Sequence, residues 1–294
     1  MTNIIFGLGE RTRPRVRGSA PSLNPFPNVS DAGVADHTRG RVCSPETLPM
    51  VVVSRCAPFG FTLIELLVAV AVLGILASIL LPELSQGRLR AQAAKCGSNL
   101  RQFIAAAQMY WDDSDGNPFP YVGATTADGT YYWFGLLGQG PEEQRAFDPS
   151  AGPLYSWLGA GVDFCPAFDY ASPQFKLKAA VPTCDYGYNS FIYGLPLNIR
   201  KAAAPARLAF LADAAQVNTF EAPASAKHPM FEEWYYLDNE TNQPNGQFRH
   251  EQRANAVFVD GHLGRELMVP GSLDQRLPAQ GIGWLRPEIL KPGP

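Results

Sequence analysis

The residues best equipped for chemistry are few, and they lie in separate islands. One carboxylate, Glu65, stands alone in an apolar run at residues 61–81 (FTLIELLVAVAVLGILASILL), which Gly60 precedes and Pro82 follows. Near the other end, Arg249-His250 is followed, after nine further residues, by Asp260-Gly261-His262. Between these islands lie Cys96, Cys165 and Cys184, and an acid, Asp213, that closes the stretch ARLAFLAD.

Each island limits what the chain can do. A carboxylate early in an apolar segment costs about 2.5–3.5 kcal/mol on insertion into a membrane, so Glu65 implies a partner or a function. His250, Asp260, His262 and Asp213 are residue types suited to a metal or acid–base site. An extended run of ten residues spans about 33 Å, however, so His250 meets Asp260 only if the chain folds back. The reading we favour for His250 is structural, through hydrogen bonds that fix the last hairpin. With four histidines in all, no H-E-x-x-H, no nucleophile elbow and no phosphate loop, catalysis has little to build on and no enzyme is expected. No C-x-x-C pair occurs, so no structural zinc site is expected and no metal ligands are assigned. Asp113, Asp115 and Gly116 resemble part of a calcium loop, but the count fails: Trp111 and Val122 fall where its first and closing ligands belong.

The elements that must position these residues follow from periodicity. At about 1.5 Å per residue, the 21 residues of the apolar run make a helix that crosses a layer of roughly 30 Å. Beyond Pro82, which kinks a helix rather than ending it here, Leu100, Phe103, Ile104, Ala107, Tyr110 and Trp111 recur on one helical face. Gly116-Asn117-Pro118 stops that helix. At the other end, 254–259 and 262–267 read as strands joined by a two-residue turn at Asp260-Gly261. Residues 121–160 read as short strands and loops, 206–213 as a buried strand, and 215–248 as a polar excursion over the surface. The 294 residues are 46% hydrophobic and 17% charged, with net charge −3 and pI near 5.8, so no nucleic-acid surface is expected.

Gly60-Phe61-Thr62-Leu63-Ile64-Glu65-Leu66-Leu67-Val68 resembles the processing site of type IV prepilins and type II secretion pseudopilins. In that family a membrane peptidase cuts after the glycine, and the new N-terminal phenylalanine is methylated. The resemblance thus implies processing at Gly60 and Phe61, and assembly through Phe61, Glu65 and Pro82. Glu65 would neutralise the Phe61 ammonium of a neighbouring subunit. Cys96-Gly97-Ser98-Asn99-Leu100-Arg101-Gln102, Cys165-Pro166 and Tyr186-Gly187-Tyr188-Asn189 resemble a bacterial pseudopilin-like subfamily. His250, Asp260 and Gly261 resemble the His-x9-Asp-Gly motif that often closes such chains.

What the resemblance implies is an α+β, pilin-like fold: a long membrane-spanning helix packed on an antiparallel sheet head with long loops. The parts are a leader at 1–60, a membrane and polymerisation helix at 61–82, an amphipathic helix at 83–116 and a head at 117–294. Residues 1–49 are Pro/Ser/Asn-rich and expected to be disordered, or to precede the true start, since Met50 opens a short basic leader; a long cytoplasmic extension is the alternative. Arg88, Arg90, Lys95 and Arg101 outnumber the charges upstream and would by themselves hold the head in the cytoplasm. The resemblance places it in the periplasm or outside the cell, on an inner-membrane anchor. Implied partners are the prepilin peptidase and methyltransferase, other pseudopilins or further copies, and the assembly platform. Some secretion pseudopilins bind calcium, which leaves that ion open without ligands. In an oxidising compartment three single disulfide pairings are possible; Cys165–Cys184 is favoured, leaving Cys96 a buried thiol.

Overall fold

The computed structural model describes residues 62–159, 164–193, 198–202 and 204–291. Gly60 and Phe61 lie outside the described residues, as does the leader. The first element, α1, runs from Leu63 to Asp113 without a break, 51 residues that contain Pro82. Strong helix formers stand on both sides of the proline, so one missing backbone donor does not end the helix. The helix stops where Asp115 and Gly116 take positive φ of 54° and 81° and the Gly116 amide donates to the Trp111 carbonyl at 2.7 Å.

The two halves of α1 live in different surroundings. Residues 62–91 are exposed throughout, although they include Leu63, Leu73, Ile75 and Leu81. From Cys96 onward one face is buried: Cys96, Asn99, Leu100, Phe103, Ile104, Ala107 and Trp111. That is the expected stripe, except that Tyr110 is only half-buried. Leu63–Asp113 is, among the described residues, the one helix long and apolar enough to cross a membrane.

The strands are β1 (Val122–Thr125), β2 (Gly129–Tyr132), β3 (Gly135–Gly138), β4 (Phe147–Asp148), β5 (Phe175–Lys176), β6 (Tyr186–Asn189) and β7 (Ala209–Asp213). They continue as β8 (Gln216–Asn218), β9 (Met230–Glu232), β10 (Tyr236–Leu237), β11 (Gly246–Gln247), β12 (Arg253–Phe258), β13 (Leu263–Leu267) and β14 (Ile282–Gly283). Short helices α2 (Tyr155–Leu158) and α3 (Pro287–Leu290) complete the set. A central sheet has the order β10-β6-β7-β12-β13; β1 to β4 form a separate antiparallel meander, and β5-β9-β8 and β11-β14 form smaller sheets. Pairing is antiparallel except for β10 with β6 and β5 with β9.

The central sheet is covered on both faces, which explains its composition. On one face Phe210, Leu211, Val257 and Val259 meet Leu100, Phe103, Ile104 and Trp111 of α1. The Trp111 and Phe210 rings lie edge to face at 5.3 Å. On the other face the small residues Ala209, Ala212, Ala254 and Ala256 leave room for Phe248, Leu285, Ile289 and Leu290. Helix and sheet approach closely at Gly97, where a Cβ would stand 3.1 Å from Leu263 Cδ1.

Two expectations change. The stretch 215–248 is not a solvated excursion: it supplies β8 to β11 and buries Asn218, Glu232, Glu233 and Asn245. Its polar side chains are tolerated inside because they satisfy one another; Glu232 accepts from Lys178 at 2.8 Å and from Asn218 at 2.9 Å. The last hairpin does not turn on two residues. Phe258 N donates to the His262 carbonyl and Gly261 N to the Phe258 carbonyl, closing a three-residue loop with Gly261 alone at φ +96°.

Candidate functional site

The apolar half of α1 opens with a reciprocal cap. Thr62 is the N-cap; its hydroxyl accepts from Glu65 N at 3.3 Å, while Glu65 Oε2 accepts from Thr62 N at 2.9 Å and from its hydroxyl at 2.7 Å. Glu65 is therefore turned toward the start of the helix, the end at which Phe61 precedes Thr62.

A second group forms inside the head. Cys96 of α1, Cys165, Asp213 at the end of β7 and His250 before β12 bring one sulfur, oxygen or ring nitrogen each to within 4.8 Å of one another, all four side chains buried. Cys165 Sγ lies 3.2 Å from His250 Nε2, Cys96 Sγ is 3.2 Å from Asp213 Oδ1, and His250 Nε2 is 3.4 Å from Asp213 Oδ2. The surrounding groups hold Asp213 in place: Arg249 Nη2 donates to Oδ1 at 2.7 Å and Asn255 N to Oδ2 at 2.7 Å. Asp185 completes the ring, its Oδ2 accepting from Cys165 N at 2.8 Å and pairing with Arg249 at 3.4 Å.

Electrostatically the group is strained by burial. Burial pushes the Asp185 carboxyl up to about 8, against the pull of Arg249. The thiols diverge: a hydrogen bond from Cys96 draws Cys165 down against burial, helped by Arg249 and His250, while burial pushes Cys96 up. Asp185 Oδ1 and Arg249 Nε, both buried, have no hydrogen-bond partner among the described residues.

The sequence islands are thus regrouped. His250 joins Asp213 but neither Asp260 nor His262, which pair with each other in an exposed contact at 2.6 Å. Cys165 and Cys184 are free thiols, not a bridge. The reason is direction: Cys165 Sγ faces His250, whereas Cys184 Sγ donates to the Tyr186 carbonyl at 3.4 Å. Cys96 is buried, as expected, but it touches Asp213 rather than packing as an inert thiol. Sequence reasoning named Arg249 only as the neighbour of His250 and gave neither it nor Asp185 a role. Cys96, Cys165 and His250 had each stood out in its own motif, and that coincidence was the available signal.

The prokaryotic N-terminal methylation motif matches residues 59–81. The type IV major pilin protein PilA of Myxococcus xanthus (strain DK1622) is 36% identical over 56 residues, which are 19% of this chain and 26% of that protein. The chain thus spans about a quarter of the length of the curated relative it matches. No solved structure matches. In its N-terminal methylation motif, and in the long apolar helix that leads into an antiparallel-rich head, the chain is similar to type IV pilins.

Proposed function

We propose that this chain is a structural subunit of a type II secretion pseudopilus or type IV pilus-like filament, without enzymatic activity. It is cut after Gly60, methylated at Phe61, held in the inner membrane by residues 61–82, and carries its head on the periplasmic or outer side. Prepilin peptidase would process it, and other pilin-like subunits or further copies would pack on its helix.

One observation carries the reading. Residues 62–91 form a helical half that is exposed among the described residues, and that half carries most of the methylation motif. About thirty exposed, largely apolar residues need lipid or neighbouring helices around them. In a filament, Glu65 would meet the Phe61 ammonium of the next subunit and remove two isolated charges from an apolar interior together.

The test is mass spectrometry of the protein recovered from the membranes of its own host. A mature N-terminus at N-methyl-Phe61 supports the proposal; an intact chain reduces residues 61–81 to an ordinary anchor. Recovery from sheared surface filaments, against loss of a secreted protein on gene deletion, separates pilus from secretion pseudopilus.

A further inference from the structure

We propose that Cys96, Cys165, Asp213 and His250 form a structural site for a borderline-soft divalent cation, zinc in the first instance, that clamps α1 to the head.

The donor set points to that class of ion. Two thiolates with one imidazole suit zinc and exclude magnesium and calcium, which favour oxygen. Tetrahedral coordination at about 2.0–2.3 Å puts neighbouring ligand atoms about 3.3–3.8 Å apart. Two contacts described above, Cys165 to His250 at 3.2 Å and Cys96 to Asp213 Oδ1 at 3.2 Å, come within a few tenths of an ångström of such edges, and the four donor atoms all lie within 4.8 Å of one another. The four side chains arrive from four parts of the chain: the helix, the Cys165-Pro166 turn, the end of β7 and the turn before β12. No local spacing produces such a set, so it resembles no zinc motif in the sequence.

Charge and surroundings agree. A divalent ion that displaces the two thiol protons leaves the summed charge of the buried group unchanged, with Asp213, Asp185 and Arg249 as before. The carboxylate that would bind is already oriented by Arg249 and by the Asn255 amide, and the lone pair of Oδ1 that now faces the Cys96 thiol is released when that thiol gives up its proton. The four ligands are each no more than 2% exposed, so the ion would enter as the head folds and stay there. The His of the closing motif then has a task that Asp260 and Gly261 do not share.

The full chain, expressed in zinc-supplemented and in cobalt-supplemented medium and purified in detergent, should hold about one metal ion per chain. The cobalt form should show an intense thiolate-to-cobalt charge-transfer band and the strong visible bands of tetrahedral cobalt. Cys165→Ser and Cys96→Ser should lose at least tenfold in metal retained at a fixed chelator concentration, and Cys184→Ser should keep wild-type occupancy. Should the serine variants fail to fold, the wild-type cobalt spectrum decides alone. A metal-free chain with free thiols at 96 and 165 would overturn the proposal. So would a Cys96–Cys165 disulfide on peptide mapping, or a cobalt spectrum without the thiolate band. None of these outcomes bears on the filament reading, which stands on the N-terminus.

Discussion

His250 and Asp260, the two ends of one sequence motif, sit at opposite ends of the same strand. His250 closes the turn before β12, exchanging backbone hydrogen bonds with Arg253 at 3.0 and 3.1 Å, and Asp260 lies in the loop after it. The nine-residue spacing is therefore the length of a turn, a six-residue strand and the start of a loop. The two turns make opposite demands on their residues.

In the second turn, Gly261 at φ +96° holds a conformation that side chains resist, but space is available: a Cβ would be 3.5 Å from Gln108 Nε2. Gly261→Ala should cost about 1–2 kcal/mol and Gly261→Asn less, since asparagine tolerates this region. Urea unfolding of the full chain in detergent, followed by tryptophan fluorescence, measures both.

In the first turn the strain is already present. Glu251 and Gln252 adopt φ of 53° and 61°, the pattern of a type I′ turn. Gln252→Gly should stabilise the chain by about 0.5–1 kcal/mol, the relief of backbone strain exceeding the entropy of the unfolded glycine. An unfolding midpoint that falls would refute this.

The capping box gives Glu65 a local role, and a pair of variants separates it from an intersubunit one. Thr62→Ala breaks the cap, at about 0.5–2 kcal/mol of helix stability. If Glu65 acts across subunits, Glu65→Ala should leave membrane insertion intact yet remove the protein from sheared filaments, while Thr62→Ala assembles nearly normally. Equal loss of incorporation in both would make Glu65 a cap alone.

The division of α1 predicts unequal sensitivity along one helix. Leu100 is fully buried and Leu73 is 64% exposed. Leu100→Ala should lower the stability of the head by about 2–5 kcal/mol, and Leu73→Ala should change it by less than about 0.5 kcal/mol. The same urea titration compares them.

Glu233 provides a pH test away from the cysteine cluster. Burial raises its carboxyl above the usual value, although Thr183 N, the Thr183 hydroxyl and the Tyr170 hydroxyl all donate to it. A folded value above the unfolded one contributes stability below about pH 4.5, which is lost as the pH rises through the folded value. Glu233→Gln turns an amide donor toward two of these three donors and should destabilise by about 1–3 kcal/mol. The wild-type advantage should be larger near about pH 5 than near about pH 8. Chemical denaturation of both proteins at the two pH values checks the sign.

How much of this was legible depended on sequence distance. The anchor and the stripe from Leu100 to Trp111 are local patterns, and a single helix satisfies both, so periodicity read them correctly. Strands β12 and β13 were legible because a hairpin pairs neighbours. The cysteine cluster was not: Cys96 and Asp213 are 117 positions apart, and only the stacking of α1 on β7 and β12 joins them. Residues 215–248 misled for a related reason. Polar composition signals water only while partners are unknown, and Lys178, Asn218 and Glu232 are one another's partners. The disulfide reading weighed loop length and redox compartment, neither of which says where a sulfur points.

The seam between helix and head also has a mechanical meaning. Gln92 donates to the Pro166 carbonyl, Asn255 to the Ala93 carbonyl, and Asn99 to the Phe164 carbonyl and the Tyr186 hydroxyl. These cross-links crowd into two turns of α1, directly below its free half. A pull on the exposed end of the helix would meet the head first at this collar, with Cys96 at its centre, before it reached the packed stripe from Leu100 to Trp111.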